Sequence, residues 1–214
     1  MADQITQGPG PRADQKVALV TGAGAGGIGG ALATELHAAG YFVICAVRRL
    51  GAASELLKPG IVAVELDVSS TASVSAAARS VAAMANDELH VLVNNAGSAT
   101  HRPALDLDVD GVVASMFDVN VLGVMRVVKA FSRLLVNAKG GGCIVNIGSV
   151  APIVPLAYSS AYNATKAALH AYGDSLRMEL KPFGCVGFPW ARHVEFLSAS
   201  PLTTDRPRRA GSTS

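Results

Sequence analysis

Tyr162 and Lys166 stand four residues apart, so on a helix they share one face. An ammonium close to a phenol favours the phenolate, lowering a pKa that is about 10 when unperturbed. A tyrosine tuned in this way exchanges a proton near neutral pH, as a general acid or base must. Ser149 comes thirteen residues before Tyr162, where the apolar run Cys143–Ile147 gives out. At the end of a strand its hydroxyl is placed to hydrogen-bond the same substrate oxygen. Taken alone, Tyr-x-x-x-Lys is a weak signal that chance or a solvated helix face explains better, so its meaning depends on what precedes it.

What precedes it is a series of strands, each ending in residues that suit a ligand. Val17-Ala18-Leu19-Val20 reads as a strand that runs into Gly22-Ala23-Gly24-Ala25-Gly26-Gly27-Ile28-Gly29-Gly30. A helical pattern follows, with Ile28, Leu32 and Leu36 at i, i+4 and i+8 and with Gly40 as its stop. Strand, glycine loop and helix is the context of a dinucleotide site: glycines let the backbone approach the pyrophosphate, and the helix N-terminus supplies amides. Gly22, Gly26, Gly27, Ile28 and Gly29 are therefore candidate cofactor-binding residues. The next strand, Tyr41 to Val47, ends at Arg48-Arg49. A carboxylate there would hold the ribose 2′-hydroxyl of NAD, whereas two arginines favour the 2′-phosphate of NADP. Solvated surface arginines are the bland alternative.

A third strand, Ile61 to Leu66, ends at Asp67, which sits near an adenine or caps the helix from Ser70 onward. The fourth, Val91-Leu92-Val93, breaks into Asn94-Asn95-Ala96-Gly97, small residues that let the backbone run under a ligand. Leu105 to Leu135 carries helical pattern and includes Asn120, a polar residue that needs a partner or a function. Cys143 to Ile147 is the fifth strand, and the pattern from Ala164 to Leu180 continues the helix of Tyr162 and Lys166. Unalternating strands separated by helices predict an α/β fold, a doubly wound parallel sheet of Rossmann type in three layers.

With 214 residues, half of them hydrophobic and 16% charged, the chain has enough apolar surface for one domain with a buried sheet. A formal net charge of +2 gives no support to a nucleic-acid or anionic-membrane partner. Cys45, Cys143 and Cys185 fall in apolar runs without metal-ligand spacing, as buried thiols of a reducing compartment do. No apolar run approaches the roughly 18 residues of a transmembrane segment. Residues 1–15 are polar with Pro and Gly, expected to be disordered rather than a signal peptide.

Taken together, these motifs resemble the short-chain dehydrogenase/reductase family. The resemblance rests on Thr21-Gly22…Gly26-Gly27-Ile28-Gly29, Asn94-Asn95-Ala96-Gly97, Asn120, Ser149 and Tyr162…Lys166. The extra glycine before Ile28, the Ala46-Val47-Arg48-Arg49 strand end and Ser160–Lys166 look most similar to fungal NADPH-dependent 1-acyldihydroxyacetone-phosphate reductases. The resemblance implies NADPH/NADP as cofactor and reduction of a ketone to a secondary alcohol, the substrate being an acyl-lipid such as 1-acyldihydroxyacetone phosphate or a fungal secondary metabolite. It gives Tyr162 the proton donation and Ser149 the substrate oxygen. Lys166 would lower the Tyr162 pKa and bind the nicotinamide ribose, and Asn120 would support a water that relays protons to Lys166. Asp67, Asn95, Ala96 and Gly97 complete the implied cofactor site. A homo-oligomer, dimer or tetramer, is implied through the helices at Val113–Leu135 and Ala164–Leu180. Placement is expected to be cytoplasmic, or peripheral on the endoplasmic reticulum or lipid droplets.

Two departures stand out. His90 occupies a place where the family usually has Asp, which predicts the loss of a structural hydrogen bond. After Lys181-Pro182-Phe183-Gly184 the match ends, and Pro189 argues against a central strand there. The expected domain is thus 16–184, followed by a divergent, disordered tail at 185–214. Its sixth strand, cofactor-closing loop and substrate lid are expected to be missing, as in a splice form or truncated gene copy. A catalytically inactive cofactor-binding scaffold is the alternative reading.

Overall fold

The structure, a computed structural model, describes residues 9–188. Six parallel strands form one sheet: β1 (Val17–Thr21), β2 (Phe42–Val47), β3 (Ile61–Glu65), β4 (Val91–Asn94), β5 (Cys143–Asn146) and β6 (Val186–Phe188). Their order across the sheet is β3-β2-β1-β4-β5-β6. Between β1 and β4 the strand order reverses, and ligands of open α/β sheets bind at the carboxyl ends of strands there.

Two apolar layers hold the helices to the sheet. On one face β1 to β4 meet α2 (Thr71–Met84) and a long central helix, Val109–Asn137, around Phe42, Ile44, Val81, Val127 and Phe131. Leu169 of the last helix, Ser160–Leu180, is buried in the same layer. On the other face Val20, Val43, Cys45 and Ala63 pack on Ala33, with Leu32 and Leu36 partly buried beside them, all three from α1 (Ile28–Ala38). Ile28 does not join that stripe: it is 68% exposed, because it begins the helix on the open side of the glycine turn. Gly40 stops α1 as its type predicts, with φ +92°, a backbone region costly for side chains with a Cβ.

The central helix is long and apolar enough to cross a membrane by length and composition. Val124, Val127, Val128, Phe131, Leu134 and Leu135 are buried within the protein core, and core helices of this kind pass the same test. Two π-turns interrupt its α-helical hydrogen bonding, at Val109–Val113 and Asp118–Leu122. Such turns are rare and concentrate at functional sites.

The sixth strand is present, contrary to the sequence expectation. Gly184 takes φ +73° and turns the chain, Val186 N–H donates to Gly142 O at 2.8 Å, and Val186–Phe188 lie in register with Cys143–Val145. In sequence Pro189 comes after the last residue of this strand, outside the described residues. Three residues are too few to show a period, which is why the strand was not legible. The expected absence of a lid and closing loop concerns residues 189–214, which lie outside the described residues. Of the N-terminal segment, Arg12–Gln15 forms a turn and Gln15 Nε2 donates to Gly40 O at 3.1 Å, while residues 1–8 lie outside the described residues.

His90 also departs from expectation. Its Nδ1 accepts the Val17 N–H at 3.2 Å, so imidazole supplies an acceptor at the start of β1 and no hydrogen bond is lost. Burial lowers its pKa, against the opposing pull of Glu88, which lies 3.7 Å from Nε2.

Candidate active site

Buried polar side chains are costly unless they are partnered, so their location is informative. Among the described residues they are Thr21, Asn94, Asn120, Asn146, Ser159, Thr165 and Lys166. Thr21, Asn94 and Asn146 end β1, β4 and β5, and the other four lie on the central helix or at the start of the last one. All seven belong to the carboxyl side of the sheet.

Thr21 organises the cofactor side. Its Oγ1 accepts from Asn95 N–H at 3.0 Å and from Ala96 N–H at 3.1 Å, and donates to Val93 O at 3.3 Å. Asn95 returns the tie, with Nδ2 donating to Thr21 O at 2.9 Å and Gly22 O at 3.2 Å. The loops after β1 and β4 are thereby clamped together at the point where the strand order reverses. Gly22 has φ +67°, and a Cβ there would stand 2.9 Å from Ala96 Cα. A Cβ on Gly29 would stand 2.5 Å from both Asn95 Nδ2 and Gly22 O. Only glycine fits either position.

A groove of about 510 Å³ opens along this clamp. Gly22 and Asn95-Ala96-Gly97 line it at one side, Arg48, Arg49 and Asp67 at the ends of β2 and β3 at the other. Both arginines are exposed and without an ion pair among the described residues. Asp67 is not the cap of α2; that is Ser70, whose hydroxyl accepts from Ser73 N–H at 3.2 Å. The Asp67 carboxylate instead accepts from Ser69 Oγ at 2.7 Å and Ser69 N at 2.9 Å. Those bonds, helped by the Arg48 charge, hold its pKa below the usual carboxylate value. Asp118, also on the wall, is paired with Arg126 at 2.6 Å. The free charge of the groove is therefore cationic at the end of β2. Gly26, Gly27 and Ile28 form the exposed outer face of the glycine turn and do not line the groove.

These features fit a dinucleotide. Gly22 on the groove wall admits no Cβ beside Ala96, and two guanidinium groups without an ion pair among the described residues stand at the end of β2.

Beyond the groove lies the second set of residues. Lys166 is buried, its Nζ donates to Ile147 O at 2.7 Å, and it stands 5.8 Å from the Tyr162 ring centroid. The spacing in sequence is thus realised as contact on one helix face. Burial lowers the Lys166 pKa, since desolvation disfavours its charged form. Ser149 follows β5, and its Oγ accepts from Ala151 N–H at 3.1 Å, which leaves the hydroxyl proton to donate elsewhere.

Asn120 is buried inside the second π-turn. Its Oδ1 accepts from Ser98 N–H at 2.8 Å, and its Nδ2 donates to Ser98 O at 2.8 Å and to Thr165 Oγ1 at 3.1 Å. Thr165 Oγ1 in turn donates to Tyr162 O at 2.8 Å. The side-chain amide thus joins the loop after Gly97 to the Tyr162 helix. A short polar side chain inside a π-turn makes this reach possible. Sequence reasoning gave Thr21 no role beyond its place in the motif and did not single out Thr165. Thr21 had a signal, a hydroxyl at the last position of an apolar strand; Thr165 had none in spacing alone.

Residues 16–187 match the short chain dehydrogenase family, and the chain belongs to that family. Among curated proteins it is 44% identical over 170 residues to the NADPH-dependent 1-acyldihydroxyacetone phosphate reductase of Schizosaccharomyces pombe, covering 79% of this chain and 56% of that protein. The chain thus spans little more than half the length of the curated relatives it matches. Among solved structures, a short-chain dehydrogenase from Streptomyces avermitilis is similar with a TM-score of 0.76 and 33% identity, over 83% of this chain and 65% of that one. A metagenomic short-chain oxidoreductase in complex with NADP is similar with a TM-score of 0.73 and 28% identity, over 80% and 79%.

Proposed function

We propose that this chain is an NADPH-dependent carbonyl reductase that converts a ketone to a secondary alcohol. The observation that carries the proposal is the Tyr162–Lys166 pair, with a buried ammonium fixed by Ile147 O beside the phenol. Arg48 and Arg49 would hold the 2′-phosphate, and Gly22 with Asn95–Gly97 the backbone side of the cofactor. When bound, the nicotinamide supplies the hydride.

Ser149 Oγ–H donates to the ketone oxygen and holds it. The Tyr162 hydroxyl gives its proton to that same oxygen as negative charge develops there. Lys166, oriented by Ile147 O, stabilises the phenolate that remains. Its depressed pKa makes it a group able to return a proton. Asn120 and Thr165 hold the Tyr162 helix against the loop after Gly97, so the acid stays in place.

The name of the fission-yeast relative supports an acyl-lipid ketone, 1-acyldihydroxyacetone phosphate, as the substrate, reduced to 1-acylglycerol 3-phosphate. Exposed Val109, Val112, Leu122, Val136 and Met178 on the central and last helices support self-association across that face.

The test is NADPH oxidation with a panel of neutral and phosphorylated ketones, comparing wild type with Tyr162→Phe. The variant should lose turnover by at least about a hundredfold with NADPH affinity unchanged. Turnover near wild type would remove Tyr162 from the acid role.

A further inference from the structure

His101 lies on the loop after β4 and belongs to none of the motifs above, yet its ring is held with unusual care. Nδ1 is 2.8 Å from the buried Ser159 Oγ. Ser159 is the N-cap of the Tyr162 helix, where serine ordinarily accepts from an amide of the first turn. Here that bond is absent, and the hydroxyl is spent on the imidazole. The His101 ring stands 6.5 Å from the Tyr162 ring, centroid to centroid, with 57° between planes. One residue further, Arg102 N–H donates to Tyr158 O at 2.8 Å, and Tyr158 holds φ +63°, an uncommon conformation for a bulky residue. Two ties thus sew the β4 loop to the segment entering the Tyr162 helix, and the ring sits beside the phenol.

Core packing does not account for this arrangement, because His101 is exposed. Among the described residues Nε2 has no hydrogen-bond partner, and neither His101 nor Arg102 has an ion pair. We propose that His101 is a substrate-binding residue whose Nε2 holds an oxyanion group, a phosphate or carboxylate, carried by the ketone close to its carbonyl. With Nδ1 held at the Ser159 hydroxyl, the ring presents Nε2–H outward to donate to the anion, a charge-assisted bond. Arg102 adds positive charge to the same loop. The site rests on the reading of Tyr162 as the acid, since it takes its place from that ring.

The test reads binding without turnover. The whole chain, saturated with NADP to fill the cofactor groove, is titrated with dihydroxyacetone phosphate and, separately, with dihydroxyacetone. Imidazole resonances and calorimetry provide the readouts. Dihydroxyacetone phosphate should shift the His101 ring resonances. His101→Gln should weaken its binding by about tenfold or more and leave dihydroxyacetone and NADP affinities unchanged. Ser159→Ala, which frees the ring without removing it, should weaken the phosphorylated probe by a smaller factor. Equal binding of dihydroxyacetone phosphate by wild type and both variants overturns the proposal. So does an equal loss for both probes, which would make His101 a support of the loop only. Inorganic phosphate competing as well as dihydroxyacetone phosphate would still place the anion at His101; no competition, with no resonance shift, would not. Failure of the reductase reading shows separately, in the Tyr162→Phe assay with neutral ketones.

Discussion

Removing one hydroxyl from Thr21 should damage both the fold and the cofactor site, by an amount the structure allows to be worked out. Thr21→Val preserves shape and β-branching but takes away the acceptor shared by Asn95 N–H and Ala96 N–H, at 3.0 and 3.1 Å. A buried amide left unpaired costs about 1–3 kcal/mol. Both residues are half-buried, so water recovers part of that, and about 2–3 kcal/mol for the pair is a fair expectation. For a chain of this size each kcal/mol moves Tm by about 2–4 °C, giving a fall of about 4–12 °C. Asn95 to Gly97 wall the cofactor groove, so if about half the loss falls on the ordered loop, NADPH binds about tenfold more weakly. Thr21→Ser keeps the hydroxyl and should lose much less of either. The assay is thermal unfolding with and without NADPH, plus a direct NADPH titration. Thr21→Val matching wild type in Tm and Kd would refute the clamp.

Other perturbations follow the same geometry. His90 must be neutral at Nδ1 to accept from Val17 N–H, and its folded pKa is lowered by burial. A depressed folded value means that the stabilisation is complete above the unfolded pKa, about 6.5, and is lost as pH falls through the folded value. The Tm of wild type should therefore drop more between pH 7 and 5 than that of His90→Gln, which offers an acceptor that does not titrate; identical pH profiles would sink the argument. Arg48→Asp combined with Arg49→Ala should weaken NADPH by at least about tenfold while leaving NADH little changed, because only the 2′-phosphate loses its partners. An unaltered NADPH to NADH ratio of dissociation constants would show that the arginines are merely solvated.

Much of this architecture was legible because buried parallel strands leave plain runs. Val17–Val20, Phe42–Val47 and Ile61–Val64 are apolar without alternation, and the structure places all three as strands in the centre and at one edge of the sheet. Gly40 and Ser70 marked a helix end and a helix start through chemistry that depends only on neighbours in sequence. What escaped depends on contacts across the chain. β6 is three residues long and exists through pairing with β5, which local pattern does not encode. The partners of Asn120 are Ser98 and Thr165, 22 and 45 residues away, and the π-turn that aims it leaves no periodic trace. His90 was readable as a departure from the family's Asp, but not as a replacement acceptor, since Val17 is 73 residues distant. The Tyr162–Lys166 contact was readable because it lies within one helix.

The central claim, that this groove takes NADPH, is tested most directly by thermal unfolding of the whole 214-residue chain with NADPH, NADH or neither. A single cooperative transition that rises clearly with NADPH, and less with NADH at the same concentration, is the result expected from binding to the folded state alone. A transition that neither dinucleotide shifts at millimolar concentration would contradict the account, whatever the likeness of the fold.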